Sequence, residues 1–461
     1  MEDLEVAALD EHPLQGGRDG PRHGATGLTS DKALPLSYTI GHGRNYYIGM
    51  AGMKPAFKGK GDAYREQVLS LRRHLHRFPE LSGEEHDTSE TVQRKLDEHG
   101  IPFTAGYAGT GVLGVVEGGR PGKTVALRAD MDALPIQEEN DHDFVSKREG
   151  VMHACGHDAH TAMLVGAGWL LRDVKEELPG RVLLVFQPAE EASPTGGARR
   201  MMKEGVFGEH RPDVIFAQHV SPELPVGRVG VRGGAITGAS DRFKVTIEGK
   251  GGHASKPHQT IDAIVVANQV INSLQTVVSR DVDPLRSAVL TVGKIRGGTR
   301  YNTIAQRATL EGTIRTFSPE TKETVKERFH TIVCGVVESM EAHARIKYLD
   351  GYPATVNTPE WAERVHKTAQ ELLGDGATPE IEPSLGGEDF GRFLLVYPGA
   401  YFRLGTAYPN TREMRRLHDS RFDIDEAALG LGMELFAQVA ADTLYQLDDR
   451  QKGAGRERAT L

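Results

Sequence analysis

Apolar positions recur at helical spacing over 61–77, where Tyr64, Val68, Leu71 and Leu75 share one face. Pro79 interrupts that pattern, and 88–99 resumes it up to Gly100. Three strand-like runs follow: IPFTAGY, GVLGVVEG and KTVALRADMDALP. Helical spacing returns over 159–174, then the apolar run RVLLVFQPAEEA, a short helix over 197–204 and the strand DVIFAQHV. Strands alternating with helices predict an α/β fold with a mixed, largely parallel sheet flanked by helices. Catalytic groups in such folds collect beyond the carboxyl ends of strands. Three of these runs deliver Asp130 and Asp132, Glu190 and Glu191, and His219 to their ends.

Around Gly234 the period changes. DRFKVTIEG alternates, GKGGHASKPH is a glycine-rich loop, and 261–278 is a long helix. Two β runs (287–295 and 308–316), a helix over 319–343 and the strand ARIKYLDG complete a β-α-β-β-α-β order. That order predicts an inserted ferredoxin-like α+β domain over 235–352. The first sheet then resumes with a helix over 359–373, the strand GAYFRLG, the loop RRLHDSRFDID and a final helix over 426–444. The chain divides accordingly. Residues 1–58, rich in Gly, Pro and polar residues, read as a disordered extension. Residues 59–234 and 353–447 form the two parts of the sheet domain, and 448–461 read as a frayed tail. Met50 and Met53 lie just before the first helical pattern, so a start later than Met1 is also open.

Composition narrows the function classes. Of 461 residues, 38% are apolar and 26% charged, an ordinary globular balance. A net charge of −9 disfavours nucleic acid, and no apolar run approaches the roughly 20 residues that span a bilayer. The first residues, MEDLEVAALDEH, lack the apolar core of a secretory signal. Two cysteines, Cys155 and Cys334, do not make a disulfide scaffold. Cys334, inside TIVCGVV, reads as a small core residue. A cytoplasmic, reducing location fits, and it keeps Cys155 available as a thiolate.

The densest chemistry lies in VMHACGHDAHTA, where Cys155 and His157 stand two apart. Thiolate and imidazole are the ligand set of zinc-like ions. The adjacent Glu190 and Glu191 cannot easily face the same way, so one can bind metal while the other faces a reacting water.

The ordered set LRADMDALP, MHACGHDAHTAM, FQPAEE, GKGGHASKPH, GGEDF and LHDSRFDIDE, with RRHLHRFPELSGEE before it, resembles the dinuclear-metal aminoacylase/carboxypeptidase superfamily. The match runs over roughly 65–445. Its closest likeness is to the amidohydrolase branch of hippurate hydrolases, N-acyl-amino-acid amidohydrolases and auxin-conjugate hydrolases. The resemblance implies metal ligands Cys155, His157, Glu191, His219 and His418, holding two divalent ions per chain, with Cys155 as the bridge. One ion would add Glu191 and His418, the other His157 and His219. Zinc and manganese fit this donor set, as do cobalt and nickel.

The same resemblance makes Glu190 the general base and Asp132 the acid that orients a ligand histidine. His253 becomes an oxyanion contact reaching across a dimer or a closed hinge, and Asn302 and Arg315 hold the substrate carboxylate. Glu388 resembles a residue placed near the metals. Asp130 stands where related branches carry a histidine ligand, and Ile304-Ala305 replaces the usual Ile-Pro. The implied activity is metal-dependent hydrolysis of N-acyl-amino acids to a carboxylic acid and a free amino acid. The implied assembly is a homodimer through the inserted lid. A catalytically silent metal- or ligand-binding relative, and a cysteine-based redox or nucleophilic enzyme centred on Cys155, are the alternatives.

Overall fold

A computed structural model describes residues 54–409 and 415–459. Helices α1 (Arg65–Arg77) and α2 (His86–Asp97) come first. Strands β1 (Phe103–Tyr107), β2 (Gly111–Glu117) and β3 (Arg120–Asp130) follow, then helix α3 (His157–Asp173). Next come β4 (Pro179–Gln187), α4 (Gly197–Lys203), β5 (Val214–Pro225) and β6 (Val229–Gly230), then β7 (Gly234–Thr237). The inserted segment runs β8 (Ala239–Glu248), β9 (Gly252–His253), α5 (Ala263–Thr276), β10 (Ala288–Gly297) and β11 (Thr303–Ile304). It continues through β12 (Arg307–Thr316), α6 (Pro319–Ser339) and β13 (His343–Tyr352). The chain then returns as β14 (Thr355–Asn357), α7 (Pro359–Leu373), α8 (Gly391–Leu394), β15 (Gly399–Ala407) and α9 (Ala427–Ala459).

The main sheet has the order β1-β2-β4-β3-β5-β15-β6. Its centre, β4-β3-β5-β15, is parallel, and β1, β2 and β6 add antiparallel edges. The predicted mixed, largely parallel sheet is therefore present. Residues 124–130 of β3 are all buried, as expected of a central strand covered on both faces. Helix α3 is buried from His157 to Leu171. Gly166 makes that possible: a Cβ there would meet Val68 Cγ2 at 2.7 Å and Met433 Sδ at 2.8 Å. The missing side chain lets α1 and α9 pack directly on α3.

The inserted segment builds a second sheet, β10-β12-β8-β13, all antiparallel. It has its own core, in which Val245 of β8, Val270 of α5 and Phe329 of α6 meet. Ser318 caps α6, its Oγ accepting from Thr321 N at 3.2 Å, and Pro319 opens the first turn.

Three expectations meet a different outcome. Phe57 is fully buried and its N–H donates to Gln438 Oε1 at 2.9 Å, so 54–58 pack on α9 instead of extending as a disordered segment. The rest of that extension lies outside the described residues. Helix α9 continues to Ala459, through the stretch read as a frayed tail. Arg120 of β3 reaches Asp448 at 2.7 Å, and Lys452 reaches it at 2.8 Å, which supports the added turns. Cys334 is exposed, not a core residue. Helix α6 buries Val325, Phe329, Val333 and Val337, and position 334 falls just off that stripe.

Candidate active site

The carboxyl ends of the parallel strands open onto a cleft of about 390 Å³. Cys155, Glu190, Glu191, His219, Glu388 and His418 are among its lining residues. Cys155 enters just before α3. Gly156 follows in the left-handed conformation (φ 80°), and a Cβ there would meet Val220 Cγ2 at 2.4 Å. Only glycine permits this turn, which aims Cys155 and His157 at one another.

Each histidine is fixed from behind. His157 Nδ1 lies 2.8 Å from the Asp132 carbonyl oxygen and His219 Nδ1 2.8 Å from the Val220 carbonyl oxygen. A carbonyl can only accept, so Nδ1 carries the proton in both rings and Nε2 keeps its lone pair for the cleft. This backing is the usual support of a metal-ligating imidazole. His219 Nε2 stands 3.4 Å from Cys155 Sγ. His418 adopts φ 64°, its N–H donating to Ala154 O at 2.7 Å, and its Nε2 lies 3.1 Å from Glu191 Oε1. Two candidate ligand groups result, Cys155–His157–His219 and Cys155–Glu191–His418, each with its donor atoms within 4.8 Å. Cys155 is common to both. This donor set of one thiolate, three imidazoles and a carboxylate fits a pair of divalent ions.

Asp132 controls the neighbouring turn. Its Oδ1 accepts from Glu190 N at 3.0 Å, and its Oδ2 accepts from Glu191 N at 2.9 Å and from Ser82 Oγ at 2.6 Å. Glu190 is buried at the cleft, where Oε1 accepts from Asp389 N at 3.3 Å. Burial, then Glu388, Glu191 and Asp389, push its carboxyl well above the usual range. Tyr352 donates to the Glu190 carbonyl at 2.5 Å.

Several contributors were not singled out from sequence. Arg128 is buried and pairs with Asp130 at 2.7 Å, Glu388 at 3.2 Å and Asp389 at 3.1 Å. An arginine inside the apolar run TVALRAD was the available signal. His160 Nδ1 lies 2.5 Å from Asp130 Oδ1, and its Nε2 accepts from Val220 N at 2.9 Å. That pattern makes it a neutral ring that ties β3 to β5. Burial lowers its pKa.

The inserted segment contributes unevenly. Arg315 is half-buried at the hinge end of β12, its Nη1 3.5 Å from Leu385 O, beside the 386–388 wall of the cleft. The carboxylate that acts on its guanidinium is Asp241, which Lys322 already pairs at 3.0 Å. His253 is exposed, with Nδ1 accepting from Ser255 N at 3.1 Å. It pairs across a short ribbon with Thr303, next to Asn302. Both sit at the far end of β8, a 10-residue strand spanning roughly 30 Å. Neither lines the cleft.

A parallel sheet carrying these groups at its strand ends, with an α+β insertion, defines a metallopeptidase-like hydrolase of amide bonds. The chain belongs to peptidase family M20/M25/M40, whose model matches residues 126–442. It is 40% identical over 382 residues to thermostable carboxypeptidase 1 of Saccharolobus solfataricus, covering 81% of this chain and 94% of that one. It is 41% identical over 387 residues to an N-acetyl-L-cysteine deacetylase of Bacillus subtilis, covering 84% and 90%. Among solved structures, the Bacillus subtilis YXEP protein, described as a dinuclear metal binding peptidase of this family, is similar with a TM-score of 0.73. There the identity is 35%, with 83% of this chain and 99% of that one covered.

Proposed function

We propose that the protein hydrolyses N-acyl-amino acids to a carboxylic acid and a free amino acid, using two divalent ions that share Cys155. The observation that carries this reading is the position of Cys155 in both candidate ligand groups, with Glu190 beside them. His157 and His219 would complete one ion's protein ligands, Glu191 and His418 the other's, with zinc or manganese as first candidates and cobalt or nickel also suited. Ions bound there would polarise the amide carbonyl and bring the pKa of water towards neutrality.

Glu190 takes a proton from the attacking water and passes it to the departing amine nitrogen. Burial and the neighbouring carboxylates raise its pKa, which strengthens it as a proton acceptor. Asp132 holds the Glu190–Glu191 turn and the His157 ring in register. Arg315 would hold the substrate carboxylate, joined by an Asn302 brought from a second subunit, since the two lie at opposite ends of one inserted domain.

His253 and Asn302 reach a cleft only if a second subunit brings them or the hinge closes. The outer edge of β10 pairs with no described strand, and Val289, Ile295, Ile264 and Val265 expose 39–52% of their surface beside it. A second copy pairing there would cover this patch, giving a homodimer. Sedimentation should then report twice the chain mass, and Ile295→Asp should shift it to a monomer; a monomeric parent would remove the trans role of His253. No helix among the described residues is long and apolar enough to cross a membrane. Neither cysteine is in a disulfide, which is compatible with a reducing cytoplasm.

The relatives' names suggest the substrates for an assay. One is called an N-acetyl-L-cysteine deacetylase, another an IAA-amino acid hydrolase, another an N-acetyldiaminopimelate deacetylase. Acetyl, benzoyl and indole-acetyl amino acids, tested with added zinc or manganese, should release free amino acid from at least one member. No release across the panel, with metal bound, would favour a silent binding protein.

A further inference from the structure

We infer that His76, Glu138 and His142 form a separate metal site, outside the cleft, that takes one zinc-like divalent ion. His76 comes from the last turn of α1, and Glu138 and His142 from the loop after β3. His76 Nε2 is 3.1 Å from Glu138 Oε1, and His142 Nε2 is 3.3 Å from the same oxygen. Ligands about 2.0–2.1 Å from a tetrahedral ion lie about 3.3 Å from one another, so both nitrogens stand at ligand spacing from the shared oxygen, and the three donor atoms all lie within 4.8 Å.

The ring orientations point the same way. His76 Nδ1 faces Asp158 Oδ2 at 2.8 Å, the carboxylate backing typical of a metal-ligating histidine. A charged His76 held between two carboxylates would satisfy that ring alone. It does not account for His142: both its nitrogens are buried, Nδ1 makes no hydrogen bond among the described residues, and Nε2 meets only the same Glu138 oxygen, at 3.3 Å. The ring is held instead by Phe144, stacked at 3.7 Å and 14°. An ion shared with the Glu138 oxygen would take the Nε2 lone pair at this spacing and leave Nδ1 as the one ring nitrogen without a partner among the described residues.

Charge also permits a cation. The neighbouring Arg72 guanidinium is saturated by Asp158, Asp423 and Glu426, so among the described residues no Lys or Arg neutralises the Glu138 carboxylate, which accepts only from the neutral donors Asn140 Nδ2 at 3.0 Å and Ser146 N at 2.7 Å besides the two histidines. The His142 side chain is 17% exposed, so water can enter as a further ligand.

Such an ion would staple α1 to the loop that props His418. In that loop Glu139 N donates to Ser420 O at 2.9 Å, and Asn140 Nδ2 donates to Phe422 O at 3.0 Å. Those contacts hold the 415–422 segment without the ion, so the site stands apart from the cleft and does not touch substrate.

The test compares the full-length chain with His142→Ala. Both are loaded with zinc, freed of excess metal by gel filtration and counted by mass spectrometry. The variant should carry one ion fewer per chain and keep its hydrolytic activity when zinc is supplied. Equal counts would overturn the site. If His142→Ala does not fold, Glu138→Gln, which keeps the side-chain shape, gives the same reading with the same two outcomes. Anomalous diffraction at the zinc edge should show density between His76, Glu138 and His142; density confined to the cleft would overturn the assignment.

Discussion

Asp132 acts entirely through other residues. One carboxylate receives the backbone N–H groups of Glu190 and Glu191 and the hydroxyl of Ser82, while its own carbonyl fixes His157. Asp132→Asn keeps the size but offers an amide N–H₂ where an acceptor is needed. Metal affinity should fall about 10- to 100-fold with the fold intact by circular dichroism; unchanged affinity would argue against this positioning role. Cys155 and His157 were legible in the sequence because their spacing alone brings them together. Arg128 was not: its place inside an apolar run and its pairing with Asp130 are local, but its partner Asp389 lies 261 positions away. The same distance problem hid Tyr352, whose hydroxyl meets Glu190 across 162 positions.

At the scale of elements, period and strand-end chemistry located the sheet strands, because burial on both faces writes continuous apolar runs. The C-terminal helix was the harder case. Its last turns rest on contacts such as Arg120–Asp448, 328 positions apart. Slight burial raises the Asp448 pKa, but hydrogen bonds from Lys452 and Arg120 outweigh it and hold the carboxyl below its ordinary value. A depressed folded-state pKa gives stability that is present above the unfolded value of about 3.9 and is lost as pH falls through the folded one. Asp448→Asn should therefore cost less than about 1 kcal/mol at neutral pH, since both its cationic partners, Arg120 and Lys452, are exposed. The difference from the parent should vanish in acid, below the carboxylate range. A gap that persists there in urea titrations would show that the charge is not what anchors the helix.

For the whole molecule, the described residues form apolar clusters against the parallel sheet and a separate core in the inserted segment. The first builds the cleft. The second presents Arg315 at the hinge but holds His253 and Asn302 at its distant end, so one chain's cleft lacks two of its expected contacts. Motif order alone suggested the ligand set; it could not say which contacts one chain completes, because that depends on hinge and partner geometry.

In the proposed mechanism Glu190 moves the proton while the Cys155-centred groups hold the ions. Glu190→Gln keeps the shape and removes the base. Its turnover of an N-acyl-amino acid should be measured at a metal content matched to the parent. The account expects an unchanged ion count per chain and a loss of about 10²- to 10⁴-fold in kcat. A variant with the same metal content and near-parental kcat would contradict it.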